Sequence, residues 1–345
     1  MLTSLVVALC ALVPPSIVDA DVQPPQEFLY LAGSLTPDDI RHLEQSAPNV
    51  RVVVPSSDEE LMRLAPQAHG MDARFARAEV LRTADQLVWV QSPSAGVDSY
   101  LRVEELRESQ RIVMTNMQGV HAATIAEHSF AMLLTLTRDL RHYTHPDSQG
   151  TWNRSGSGAQ PTALHGKTLF VVGLGGIGNE VAKIGKGFGM RVLATKRSHT
   201  EPPEYVDELG LEQDLDRFLS QADVVAICLP LTSQTRGLFD AQRLATMKKG
   251  SYLINVGRGP IVRTDALVDA LESEHLAGAC LDVTDPEPLP SGHPLWDMSN
   301  VIITPHVSSR SPLTSSIWKQ TYMENIRRFG AGEPLLNIVD KQAGY

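Results

Sequence analysis

Three residues able to share one reaction follow successive apolar runs in the second half of this 345-residue chain. Arg258 lies in Asn255-Val-Gly-Arg-Gly-Pro260, just past the run Ser251 to Asn255. Glu287 lies in Asp285-Pro-Glu-Pro288, beyond Ala277 to Val283, and His306 follows Val301 to Thr304. If these runs are parallel strands, all three side chains project at one edge of a sheet. A guanidinium there can polarise a ketone and grip an adjacent carboxylate with its fork of donors. An imidazole titrating near neutrality can deliver a proton to the forming alkoxide. A carboxylate on the far ring nitrogen fixes the tautomer and favours the imidazolium. Together they are what hydride transfer to a ketone requires. Taken singly, each has a plainer explanation: a salt-bridging arginine, a solvated loop acid, a turn histidine.

Hydride transfer needs a carrier, and the chain has a place for one. Gly173-Leu174-Gly175-Gly176-Ile177-Gly178 directly follows the apolar run Thr168 to Val172 and opens a helical stretch reaching Gly187. Strand, glycine turn and helix in that order form the context in which GxGxxG marks a dinucleotide site. Gly173 allows the tight turn, Gly175 admits the pyrophosphate, and Gly178 lets the helix pack close to the sheet. The N–H groups opening the helix hold the diphosphate. The next strand, Met190 to Thr195, ends in Lys196-Arg197-Ser198, with no carboxylate before Glu201. An NAD site places Asp or Glu at that tip for the ribose 2′-hydroxyl. Two cations and a hydroxyl suit a 2′-phosphate instead, so the expected cofactor is NADP(H), with NAD(H) second.

These elements belong to a longer alternation of strands and helices, the pattern of an α/β fold. Strand-like runs at Phe28 to Ala32, Val50 to Val54, Gln86 to Val90 and Arg111 to Met114, with a helix from Pro37 to about Ser46, predict a first open α/β unit. A long helix rich in Ala, Leu and Met is expected from about His121 to His142, as core or subunit interface. Ser148 to Pro161 reads as a surface loop. Further strands are expected at Ala222 to Cys228, Ser251 to Asn255, Ala277 to Val283 and Val301 to Thr304. Helices are expected at Asp240 to Met247, Thr264 to Ser273 and, closing the chain, Pro312 to Phe329. The predicted architecture is two doubly wound parallel-sheet domains: a flavodoxin-like substrate domain of residues 27–118 and 310–345, and a Rossmann domain of residues 119–309. A cleft between them would hold the chemistry.

Composition narrows the function. With 42% hydrophobic residues the chain can bury a sizeable core. Forty acids against 30 bases give a net charge of −10, with no basic cluster to track phosphate backbones, so nucleic acid is not the expected partner. Cys10, Cys228 and Cys280 make neither a zinc spacing nor a disulfide framework. His142 and His145 lack companions for a metal site, and no metal is expected. Residues 1–26 read as an extension or a signal-like segment: Leu2 to Val13 is apolar and Val18-Asp19-Ala20 offers small residues, but a basic start is missing and the run is too short to span a bilayer. The expected location is cytoplasmic, with no membrane partner.

The motifs from Glu27 to about Asn337 resemble the D-isomer-specific 2-hydroxyacid dehydrogenase family. The resemblance is carried by Gly173 to Gly178, Leu229-Pro-Leu-Thr-Ser-Gln-Thr-Arg236, Ile254-Asn-Val-Gly-Arg-Gly-Pro-Ile-Val262, Ala279-Cys-Leu-Asp-Val283, Pro286-Glu-Pro-Leu-Pro290 and Thr304-Pro-His306. It implies a catalytic triad of Arg258, Glu287 and His306, with Arg258 and His306 also binding substrate. It implies that Leu229, Pro230, Thr235, Val256 and Gly257 line the cofactor, that Asp282 holds the nicotinamide carboxamide, and that Thr124 sits beside the cofactor. Backbone N–H groups at Ala95-Gly96, in Ser-Pro-Ser-Ala-Gly-Val-Asp98, would hold the substrate carboxylate. A homodimer formed through the long helix and the loop after it is implied as well, and the wall that sets substrate specificity is expected to include Trp296 from a neighbouring subunit. Two positions depart from the pattern: Thr284 replaces a common Phe, and Ser309 stands where glycine is common and is expected to narrow the approach to the nicotinamide. The activity implied is reduction of a small 2-keto acid, glyoxylate or hydroxypyruvate first. Glu287 argues against formate oxidation, which uses a neutral amide there. A nucleotide-sensing corepressor-like scaffold and a phosphite dehydrogenase are the alternatives.

Overall fold

Short β-branched runs bounded by turns build the first unit. In the computed structural model, which describes residues 27–144, 152, 161–198 and 200–345, five strands form one sheet: β1 (Phe28–Leu31), β2 (Val50–Val53), β3 (Gly70–Asp72), β4 (Trp89–Gln91) and β5 (Val113–Thr115). All pair in parallel, in the order β2-β1-β3-β4-β5, the flavodoxin-like arrangement. The helix Pro37–Ser46 begins where sequence places it, because Thr36 and Asp39 cap each other reciprocally and Pro37 tolerates the first turn. Within this unit a buried polar chain runs from the Tyr30 hydroxyl to that of Tyr322, which donates in turn to the Asp72 carboxylate at 2.9 Å. Asn325 and the Tyr322 carbonyl bind Gln91. Every group in this chain is satisfied, which makes burying it affordable.

Seven strands form the second sheet: β6 (Thr168–Val172), β7 (Arg191–Thr195), β8 (Glu208–Gly210), β9 (Val224–Ile227), β10 (Ser251–Asn255), β11 (Leu276–Leu281) and β12 (Val301–Ile303). The order β12-β11-β10-β9-β6-β7-β8 is parallel throughout and doubly wound, with its topological switch between β6 and β9. The two-residue period of a strand divides the core. Phe170, Val172, Val225 and Ile227 pack on one face, and Leu169, Val171, Val224 and Ala226 on the other. Burial on both faces explains why these strands read as unbroken apolar runs. Cys280 is buried in the second of these cores and Cys228 packs against it half-buried; both thiols are free.

Among the described residues, the first unit takes in residues 27–93, Val103–Asn116 and Gln320–Val339; the second takes in Ser94–Arg102, Met117–Lys319 and Asp340–Tyr345. This division differs from the sequence boundaries at 118/119 and 309/310. Ser94–Arg102 joins the second unit because Gly96 and Asp98 pack on Arg258. The start of the closing helix joins it because Thr124 bonds Ser311 and Thr314.

Several elements also differ from expectation. The long helix ends at Thr137, Asp139 takes a left-handed φ of 54°, and a separate turn of helix follows at Leu140–Thr144. β3 and β8 were not anticipated. β4 and β5 begin later than read, and the closing helix runs Pro312–Ala331. Residues 1–26, with Cys10 and the signal-like segment, lie outside the described residues, as do His145 and most of the loop 148–161. No helix among the described residues is long and apolar enough to cross a membrane.

Candidate active site

Since the second sheet is parallel, the turns after β6, β9, β10, β11 and β12 leave from one edge. The glycine turn occupies the first of these. Gly173 has φ 98°, a conformation L side chains rarely adopt. A methyl on Gly178 would collide with the carbonyl oxygen of Gly173, so the helix Gly176–Gly187 can start this close to the strand only with glycine there. Gly175 differs: a Cβ would meet nothing within 4 Å. No protein neighbour accounts for its being glycine. Across the switch point, the Leu229 side chain would press on any Cβ at Gly173, and its carbonyl on one at Gly257. Val256 is buried beside this turn, and Ile177 is packed in the helix's first turn. Thr235 donates from its hydroxyl to the Pro230 carbonyl at 2.7 Å and accepts from the Thr232 N–H at 2.8 Å, which closes the loop after β9.

At the tip of β7 the Lys196 N–H donates to the Gly210 carbonyl, and Ser198 is exposed. The Arg197 guanidinium lies over the ring of Tyr345, 4.8 Å from its centroid. Sequence gave no hint of that contact.

Arg258 follows β10 in a turn bracketed by Asn255, whose side chain donates to the Arg258 carbonyl and accepts from the Gly257 N–H, both at 3.1 Å. Its guanidinium is fixed from two sides: Nε donates to Asp98 at 3.1 Å and Nη1 to the Gly257 carbonyl at 2.9 Å. Any Cβ at Gly96 would overlap Nη2 of Arg258. Gly96 and Arg258 are therefore neighbours. Asp98, in the same turn as Gly96, is the acidic residue that holds the arginine. Nothing local marks an ion pair across 160 positions.

Glu287 and His306 meet directly: Nδ1 of His306 lies 2.7 Å from Oε1 of Glu287. The loop after β11 is tied down by Thr284, whose hydroxyl donates to the Pro286 carbonyl at 2.9 Å. The residue that departs from the family's Phe thus serves the Glu287 loop. His306 has φ 53°, a left-handed conformation costing on the order of 1–3 kcal/mol in a residue with a side chain. Its N–H donates to the Asp282 carbonyl at 2.9 Å, which helps hold it there.

Asp282 is buried, and its carboxylate gathers the loop that follows β12. It accepts from the Thr304 hydroxyl at 2.7 Å, the Val307 N–H at 2.9 Å and the Ser308 N–H at 3.1 Å. His128 completes the cluster, with Nε2 3.0 Å from Thr304 Oγ1. The resemblance assigns Asp282 to the nicotinamide carboxamide and gives His128 no place. Thr124, expected beside the cofactor, has its hydroxyl shared with Thr314 at 2.9 Å and Ser311 at 3.2 Å. Trp296 is half exposed and its indole N–H donates to the Pro290 carbonyl.

A doubly wound nucleotide-binding sheet with an arginine and a carboxylate–imidazole pair at one edge is the arrangement of a dehydrogenase. Comparison with known proteins agrees. Residues 130–308 match the family model for the NAD-binding domain of D-isomer specific 2-hydroxyacid dehydrogenases. A glyoxylate reductase of Aeropyrum pernix is 39% identical over 237 residues, 67% of this chain and 70% of that protein. A crystal structure of a D-isomer specific 2-hydroxyacid dehydrogenase family protein from Aeromonas salmonicida superposes with TM-score 0.74 at 33% identity, covering 92% of this chain and 99% of the other. An NADPH-dependent glyoxylate/hydroxypyruvate reductase from Sinorhizobium meliloti, solved with NADP and sulfate, superposes with TM-score 0.76 at 27% identity over 92% and 100%. The chain belongs to the D-isomer specific 2-hydroxyacid dehydrogenase family, and is an oxidoreductase acting on CH–OH groups with a nicotinamide dinucleotide.

Proposed function

We propose that this enzyme is an NADP(H)-preferring reductase of small 2-keto acids to D-2-hydroxy acids, with glyoxylate and hydroxypyruvate first among substrates. The observation that carries it is the 2.7 Å contact between His306 and Glu287, on the same sheet edge as an Arg258 anchored by Asp98. The glycine turn fits the cofactor's diphosphate, because the space at Gly175 is open where every other constraint on the turn comes from protein neighbours. Lys196, Arg197 and Ser198 would take a 2′-phosphate, the guanidinium by paired hydrogen bonds. When bound, the dinucleotide supplies the hydride to the keto carbon.

The chain's own residues do the rest. Arg258 binds the substrate carboxylate and polarises the keto oxygen; Asp98 sets the plane of its guanidinium. Glu287 accepts from Nδ1–H of His306, which keeps that proton in place and fixes the orientation of the ring. Nε2, the ring nitrogen facing away from Glu287, gives its proton to the keto oxygen as the C–H bond forms, so one hydride and one proton convert C=O to CH–OH. The backbone at Ala95-Gly96 adds donors for the carboxylate. Residues 27–118 with 310–345 would serve as the substrate domain and 119–309 as the dinucleotide domain. Leu140 and Tyr143, exposed beyond the long helix, support a homodimer through that segment. The absence of a disulfide pattern and the need for reduced nicotinamide support a cytoplasmic location.

The test is spectrophotometric: oxidation of NADPH and of NADH by the purified full chain with glyoxylate, hydroxypyruvate and pyruvate. Turnover with at least one acid, faster at equal concentration with NADPH, is expected. No turnover with any would leave only a binding role; NADPH formation from phosphite would replace the keto-acid reading.

A further inference from the structure

The loop that carries His306 continues through Ser309 into a recess. Its volume is about 460 Å³, and it is lined by His121, Ser309, Arg310, Ser311, Thr314, Ser315 and Trp318. Three observations give it a chemical character. First, Nδ1 of His121 is buried and has no hydrogen-bond partner among the described residues. Second, Arg310 is exposed at the rim, and its backbone N–H donates to the Val307 carbonyl. Third, two helices begin at the recess. His121 is the residue before Ala122–Thr137, and Ser311 precedes Pro312–Ala331, its hydroxyl accepting from the Thr314 N–H at 3.0 Å. Helix N-termini favour negative charge, and a guanidinium binds carboxylate or phosphate in paired hydrogen bonds. The indole of Trp318 gives one wall for a short carbon chain. Burial lowers the pKa of His121, so near neutrality its imidazole is uncharged and offers a hydrogen bond, while Arg310 supplies the charge.

We propose that this recess is the subsite for a second oxyanion on the substrate, so that among 2-keto acids longer than glyoxylate and hydroxypyruvate one with a carboxylate or phosphate on its far end is favoured over one with an apolar end. The proposal rests on the reductase reading above and deepens it. Ser309 is three residues past His306, so an acid whose keto group meets the imidazole can extend a short arm towards Arg310. Glyoxylate would leave the subsite unfilled.

Steady-state oxidation of NADPH by the full chain is compared for oxaloacetate (carboxylate arm), 3-phosphohydroxypyruvate (phosphate arm) and 2-ketobutyrate (apolar arm). At least one of the acidic substrates is expected to have a higher kcat/KM than 2-ketobutyrate. Arg310→Gln is expected to lower that ratio at least about tenfold, the size of one lost charge-assisted hydrogen bond. His121→Asn is expected to lower it in the same direction. A wild-type preference for 2-ketobutyrate, or a ratio that Arg310→Gln leaves unaltered, overturns the subsite. So does an Arg310→Gln effect confined to the KM for NADPH. If no keto acid is reduced at all, glyoxylate included, the reductase reading has failed instead. Calorimetric titration of D-malate against D-lactate in the presence of NADP then decides the subsite: tighter D-malate binding that Arg310→Gln abolishes supports it, and equal binding overturns it.

Discussion

Removing the carboxylate of Asp98 should damage catalysis although Asp98 has no place in the hydride or proton transfer. Its Oδ1 accepts from Nε of Arg258 at 3.1 Å, and the two side chains are only 25% and 27% exposed. A hydrogen bond between charged groups contributes about 1.5–3 kcal/mol net. Without it the guanidinium keeps its bond to the Gly257 carbonyl but can rotate about it. If that whole sum is lost from transition-state binding, Asp98→Ala lowers kcat/KM by about 10- to 150-fold, at 1.36 kcal/mol per decade. Asp98→Asn keeps an oxygen acceptor and loses the charge, so its loss should be smaller. The assay is NADPH oxidation with glyoxylate for both variants, each repeated in an Arg258→Lys background. Because Lys presents no Nε to Asp98 in that geometry, Asp98→Ala should cost less than about threefold there; contacting residues couple in this way. Equal losses in both backgrounds, or an Asp98→Ala enzyme within twofold of wild type, would show that Asp98 does not act through Arg258.

Neutralising Lys196 and Arg197 together (K196Q/R197Q) should raise the KM for NADPH far more than that for NADH, because only NADPH carries the 2′-phosphate; equal effects in a side-by-side titration would remove the phosphate assignment. His69 bears on stability against pH. Burial lowers its pKa, and its Nδ1 accepts from the Leu29 N–H at 3.2 Å. A histidine whose folded pKa lies below its unfolded value of about 6.5 stabilises fully above that value, and the contribution disappears as pH falls through the folded pKa. The melting temperature of His69→Gln should therefore fall less steeply than that of wild type between pH 7 and pH 5. Parallel curves would show that His69 carries none of the acid sensitivity.

How much was legible from sequence depended on how far apart the interacting residues lie. The Gly173 turn was legible because its strand, its turn and its helix are contiguous, and because Gly178 answers to a carbonyl five residues back. β10 and its turn were equally clear, since Ser251–Asn255 is a continuous strand run buried at four of its five positions. β3 and β8 were invisible. Gly70–Asp72 and Glu208–Gly210 are three residues each, too short to show a period, and they hold their shape by pairing with neighbours already in place. The break in the long helix was missed for a related reason: Asp139 turns left-handed within a sequence that otherwise favours helix. In the site, the types and order of Arg258, Glu287 and His306 were readable. The residues that hold them, Asp98 on the arginine and His128 and Thr304 around Asp282, were not, because those contacts join segments 22 to 176 residues apart. Gly96 and Gly257 are glycines for the same reason: each is met by a group remote in sequence.

The proposed mechanism has His306 give the proton while Glu287 holds its ring in place. It is tested most directly by single-turnover oxidation of bound NADPH by His306→Gln with saturating glyoxylate, alongside NADPH binding by fluorescence. General acid catalysis contributes roughly 10²–10⁴-fold, so the rate should fall at least about a hundredfold while the dissociation constant for NADPH stays within about twofold. A variant that turns over at near the wild-type rate, with NADPH bound as tightly, would contradict the account.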